Sequence, residues 1–139
     1  MPYDPTAPSE KERSGMFALA PLGLIDTLIA AGSFAFGSNT RLAGLFLLMA
    51  WCGIWVLLLY RFADDYLASL RLEAARWCAV ALGLWFTGVA LVFALGGGAE
   101  EGVRFAMPAV LIEPQWPALL GAFVFYLAFD GKRLRGTAA

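Results

Sequence analysis

The chain has 139 residues, of which 60% are hydrophobic and 15% charged, with a net charge of −1 and no histidine. Soluble domains run at roughly 45–50% apolar and about 25% charged, so this composition excludes an ordinary water-soluble core. It also excludes the strong positive field of a nucleic-acid binder and any histidine-ligated haem, chlorophyll or metal within the chain.

Residues 1–15 form a polar tail with Pro2, Pro5 and Pro8, which favour extended backbone. Lys11 and Arg13 then precede an apolar run at 16–36. A charged start before an apolar run is the outline of a signal peptide. This run is too long for one, carries Asp26 at its centre and lacks a cleavage site, so it reads as a first transmembrane helix. A second helix is expected at 42–62, with Tyr60 at an interface. Around the segment 63–76, Phe62, Tyr66, Leu70 and Trp77 recur at helical spacing, with Asp64, Asp65, Arg71 and Glu73 between them. That amphipathic stretch either lies on the membrane surface or extends the neighbouring helices.

A third helix is expected at 77–95, stopped by Gly96-Gly97-Gly98. The connection 99–113 begins acidic, turns apolar and is broken by Pro108, so it should rest on or dip into the outer face. A fourth helix is expected at 114–134, since proline suits a first helical turn and Pro114 and Pro117 stand there. Residues 135–139 form a short tail.

The basic residues set the orientation. Lys11, Arg13, Arg61, Arg71, Arg76, Lys132, Arg133 and Arg135 fall at the two ends and the middle connection; only Arg41 and Arg104 fall in the other two. Eight against two places both termini inside. The fold class is therefore an all-α, four-transmembrane-helix bundle, N-in and C-in, in a bacterial inner membrane.

Asp26 is the sharpest chemical feature, because an aspartate at the bilayer centre costs about 2.5–3.5 kcal/mol. Gly23, Asp26, Ala30, Ser33 and Gly37 share one stripe of the first helix, and small residues on a stripe let another helix approach. Ala79, Gly83, Thr87, Ala90 and Ala94 form a similar stripe on the third. These two stripes are expected to pack, with Asp26 hydrogen-bonded to Thr87 or a neighbouring carbonyl as polar glue; the other readings are a proton or cation site and a contact with another subunit. Glu113, Gln115 and Trp116 are the outer-face candidates: a carboxylate ahead of a helix start is favoured by the helix dipole, and the amide and indole beside it suit a docking or quinone-proximal site.

Cys52 and Cys78 lie at different depths and read as small buried apolar residues rather than a redox pair. Asp64-Asp65 and Glu100-Glu101 lack calcium-loop spacing. Gly96-Gly97-Gly98 lacks the Lys-Ser/Thr of a phosphate loop. Trp51, Trp55 and Trp85 sit deep in their runs, where they pack in the core or on lipid, quinone or pigment. No catalytic pair and no cofactor ligand stand out. The chain reads as a non-catalytic accessory subunit of a larger membrane complex, such as a respiratory or photosynthetic one, with other membrane subunits and the bilayer as partners. The alternative is a small homo-oligomeric proton- or cation-coupled transporter or channel using Asp26.

Overall fold

The computed structural model describes residues 9–37, 39–60, 65–96 and 113–137. These form four helices, α1 (Glu10–Ala35), α2 (Thr40–Leu59), α3 (Asp65–Gly96) and α4 (Gln115–Thr137). The connection expected at 99–113 lies outside the described residues except for Glu113, as do residues 1–8 of the tail.

α1 begins at Glu10, ahead of the apolar run, so Lys11 and Arg13 are helical rather than part of an extended tail. The cause is a capping box. Ser9 Oγ accepts the Glu12 N–H at 3.3 Å, and the Glu12 carboxylate accepts the Ser9 N–H at 2.8 Å. The helix ends as Gly37 turns left-handed at φ +62°, a conformation that glycine reaches without a Cβ penalty. α2 is capped in turn by Asn39, whose Oδ1 accepts the Leu42 N–H at 3.1 Å.

α3 has 32 residues, about 48 Å of helix and well beyond a hydrocarbon core of roughly 30 Å. From Asp65 onward it absorbs the amphipathic stretch, so that segment extends the third helix and is not a separate element. Among the residues of α3 whose burial is described, the buried ones are Leu67, Leu70 and Ala74, all in this stretch. Beyond it, Val80, Leu84, Phe86 and Leu91 are exposed. The part that looked peripheral is the part that packs.

The helices alternate in direction. α1 lies along α2, α3 lies along α4, and α4 also contacts α1 and α2. α4 is thus the central helix, burying Leu119, Ala122, Phe125, Tyr126 and Phe129. Among the described residues, α1, α2 and α3 are long and apolar enough to cross a membrane. α4 is not among them, because Asp130, Lys132, Arg133 and Arg135 fill its last turns. The least apolar helix is the one the others surround.

Candidate functional site

The centre of the bundle is built around Tyr126. Its hydroxyl donates to the Ala50 carbonyl of α2 at 2.5 Å. The ring fills a notch that two glycines leave open. A Cβ at Gly23 of α1 would strike the ring itself, and a Cβ at Gly53 of α2 would strike its hydroxyl oxygen. The small-residue stripe of α1 therefore does admit a close neighbour, and that neighbour is α4. Thr27, buried on the same face, returns its hydroxyl to the Gly23 carbonyl at 2.7 Å.

Asp26 lies beside this wedge, half-buried and within electrostatic range of the Tyr126 hydroxyl. It makes no hydrogen bond among the described residues. Ser33 is half-buried a little further along α1. Asp26 and Thr87 are not brought together. Thr87 is exposed, as are Ala79, Gly83, Ala90 and Ala94, and a Cβ at Gly83 would meet nothing within 4 Å. Where α1 and α3 face each other, a groove of about 270 Å³ separates them, walled by Leu119, Leu120 and Phe123 of α4. The two stripes do not meet because Tyr126 already occupies the one on α1.

Glu113, Gln115 and Trp116 are brought together at the start of α4. One Glu113 carboxylate oxygen accepts the Gln115 amide at 2.7 Å and the Trp116 indole N–H at 3.2 Å. Its donors come from its own helix turn, so the cluster closes on itself as a helix start. Trp51 donates its indole N–H to the Ala118 carbonyl at 3.2 Å and packs beside the core, whereas Trp55 is exposed. The two cysteines are free, and Cys52 is exposed rather than buried. The described residues hold no cluster of three or more potential metal ligands.

The opposite end of the bundle carries a second constellation, absent from the sequence reading. Pro21 inside α1 has no N–H, so the Phe17 carbonyl one turn earlier loses its helical donor. Arg133 of α4 supplies the replacement, donating from Nη1 at 2.9 Å. The same guanidinium stands 4.7 Å from the centre of the Phe17 ring, with Arg13 at 5.7 Å. Arg71 of α3 caps α2 by donating to the carbonyls of Leu57 and Tyr60, both at 2.8 Å. Lys132 donates to the Ser69 carbonyl at 3.1 Å. Arg133, Arg71 and Lys132 each close a backbone carbonyl on another helix. A proline inside an apolar run was the one available signal, since it guarantees an orphan carbonyl.

Comparison with protein-family models, curated proteins and solved structures finds no match, so the functional reading rests on this geometry.

Proposed function

We propose that this chain is a non-catalytic subunit of a larger assembly in a bacterial inner membrane, crossing four times with both termini on the cytoplasmic side. The basic residues support the orientation, because the end that carries Arg13, Arg71, Lys132 and Arg133 is the one the positive-inside rule retains. α4 crosses with its charged turns at that end, shielded by the three more apolar helices.

The observation that carries the subunit reading is the bare stripe on α3. Small residues that face lipid gain little, whereas small residues at a helix contact permit close approach. α1 uses its stripe to seat Tyr126. α3 has an equivalent stripe, Ala79 to Ala94 with Thr87 at its middle, and no described residue covers it. A helix of another subunit is the occupant that suits it.

Gly83→Leu tests this cleanly, because the added side chain has open space within the chain. After extraction from the native membrane in mild detergent, wild type should co-migrate with different polypeptides and the Gly83→Leu protein should not. Wild type migrating alone, or the variant retaining every companion, would overturn the reading.

A second reading keeps a specific observation of its own. Asp26 stands half-buried in α1 with no hydrogen bond from the described residues, and an intramembrane carboxyl is a site for a proton or cation by default. A homo-oligomeric transporter would use it directly. Reconstituted protein whose transport disappears in Asp26→Asn would favour this alternative; equal transport in both would remove it.

A further inference from the structure

Toward the charged end, a groove of about 530 Å³ runs along α3 and α4, lined by Trp77 of α3 and by Val124, Leu127, Gly131, Lys132 and Arg135 of α4. We propose that this groove binds an anionic glycerophospholipid of the cytoplasmic leaflet, with its phosphodiester between Lys132 and Arg135 and an acyl chain along Val124 and Leu127. The inference rests on the membrane reading above and adds a ligand to it.

The chemistry of the lining is graded along α4. Val124, Leu127 and Ala128 form the deep wall, and Lys132 and Arg135 the shallow one. From Val124 to Arg135 the helix rises about 16 Å, the reach of a phosphate followed by much of one acyl chain. A free phosphate would have no use for the apolar part, and a plain hydrocarbon none for the cations. Trp77 stands half out of the groove where an interfacial indole belongs, its N–H turned to the Glu73 carboxylate at 2.9 Å.

The charges decide the headgroup. Lys132 gives one donor to the Ser69 carbonyl and keeps two, while Arg135 makes no hydrogen bond to the described residues. Glu73 also lines the groove, already accepting the Trp77 indole on one oxygen. Two cations and one anion leave a net single positive charge, which a headgroup of net charge −1 neutralises. Gly131 keeps the floor open: a Cβ there would meet nothing within 4 Å. Basic pockets between membrane helices on the cytoplasmic side recognise anionic headgroups in this manner.

Native mass spectrometry of the full chain in delipidating detergent tests the site, titrating phosphatidylglycerol against phosphatidylcholine with the same acyl chains. Wild type should retain phosphatidylglycerol over phosphatidylcholine by about fivefold or more, the usual worth of one basic residue near an anionic surface. Arg135→Gln should erase that preference. Gly131→Leu should displace both lipids while the far-ultraviolet circular dichroism stays at wild type, since the substitution adds bulk only to open space. Equal retention of the two lipids by wild type, unchanged binding in Gly131→Leu, or displacement of phosphatidylglycerol by inorganic phosphate would each overturn the proposal. A chain that needs detergent yet shows no preference loses only this site; one that stays monodisperse without detergent loses the membrane reading as well.

Discussion

Arg133 donates to the Phe17 carbonyl at 2.9 Å, the carbonyl that Pro21 has left without its helical N–H. A guanidinium on the last helix thus completes the hydrogen bonding of the first, and the two residues should be energetically coupled. Arg133→Gln removes a charged hydrogen bond and a cation over a ring, and is expected to cost about 1–2 kcal/mol. Pro21→Ala restores the N–H within α1. In that background the cost of Arg133→Gln should fall by about 1 kcal/mol, read as the interaction term of a double-mutant cycle on unfolding in detergent. Identical costs in the two backgrounds would mean that the orphan carbonyl is not what Arg133 serves.

The wedge at Tyr126 separates two glycines by what each would strike. Gly53→Ala meets only the hydroxyl, and Gly23→Ala meets the ring. Both should destabilise by about 1–3 kcal/mol through overpacking. Tyr126→Phe alone should cost about 0.6–1 kcal/mol for the lost bond to Ala50. Combined, Tyr126→Phe should rescue Gly53→Ala and leave Gly23→Ala as damaging as before. Thermal unfolding of the five variants reads this directly, and rescue of both glycines would misplace the ring.

Arg71 reaches three carbonyls at the end of α2, those of Leu57, Leu58 and Tyr60. Arg71→Ala should cost about 1–2 kcal/mol and loosen the last turn of α2 specifically. Amide exchange at the end of that helix should accelerate more than in α1 or α4. Arg71→Lys should recover only part of the loss, because all three contacts are made from the terminal Nη1 and the lysine nitrogen falls one bond short of that position.

The first turn of α1 should respond to acid. Its Ser9 partners hold the Glu12 carboxyl below its ordinary value of 4.5, chiefly through the backbone N–H and then the hydroxyl. A depressed carboxyl stabilises fully above the unfolded value and loses that contribution as pH falls through the folded one. Fraying near Ser9 and Glu12 should therefore begin a little below pH 4.5 and deepen with further acid. Amide exchange of Glu12 and Arg13 should rise across that window in wild type. Glu12→Gln should flatten the response.

The apolar runs made four helices legible, because periodicity and length need no partner to be read. The choice of partner was harder to see. A stripe of small residues says that something approaches closely, and it is silent about what. Asp26 and Thr87 lie on two such stripes, yet one receives Tyr126 and the other is exposed among the described residues. Tyr126 itself looked like one aromatic among many, since its role is written in glycines on two other helices. The stretch before Trp77 looked peripheral because of its charges. Arg71 spends its charge on the backbone of α2, which frees Leu67 and Leu70 to join the core. Glu113, Gln115 and Trp116 meet because they are neighbours within one turn at a helix start.

The position of α4 has a consequence for biogenesis. α4 follows α1, α2 and α3 in the chain and is the least apolar of the four, and its seat is cut by Gly23 and Gly53 in two helices made before it. On the membrane reading proposed above, α4 enters after the α1–α2 pair, which waits as its receptacle. A nascent chain halted before residue 115 would leave that receptacle vacant, a form that quality-control proteases could distinguish from the finished bundle.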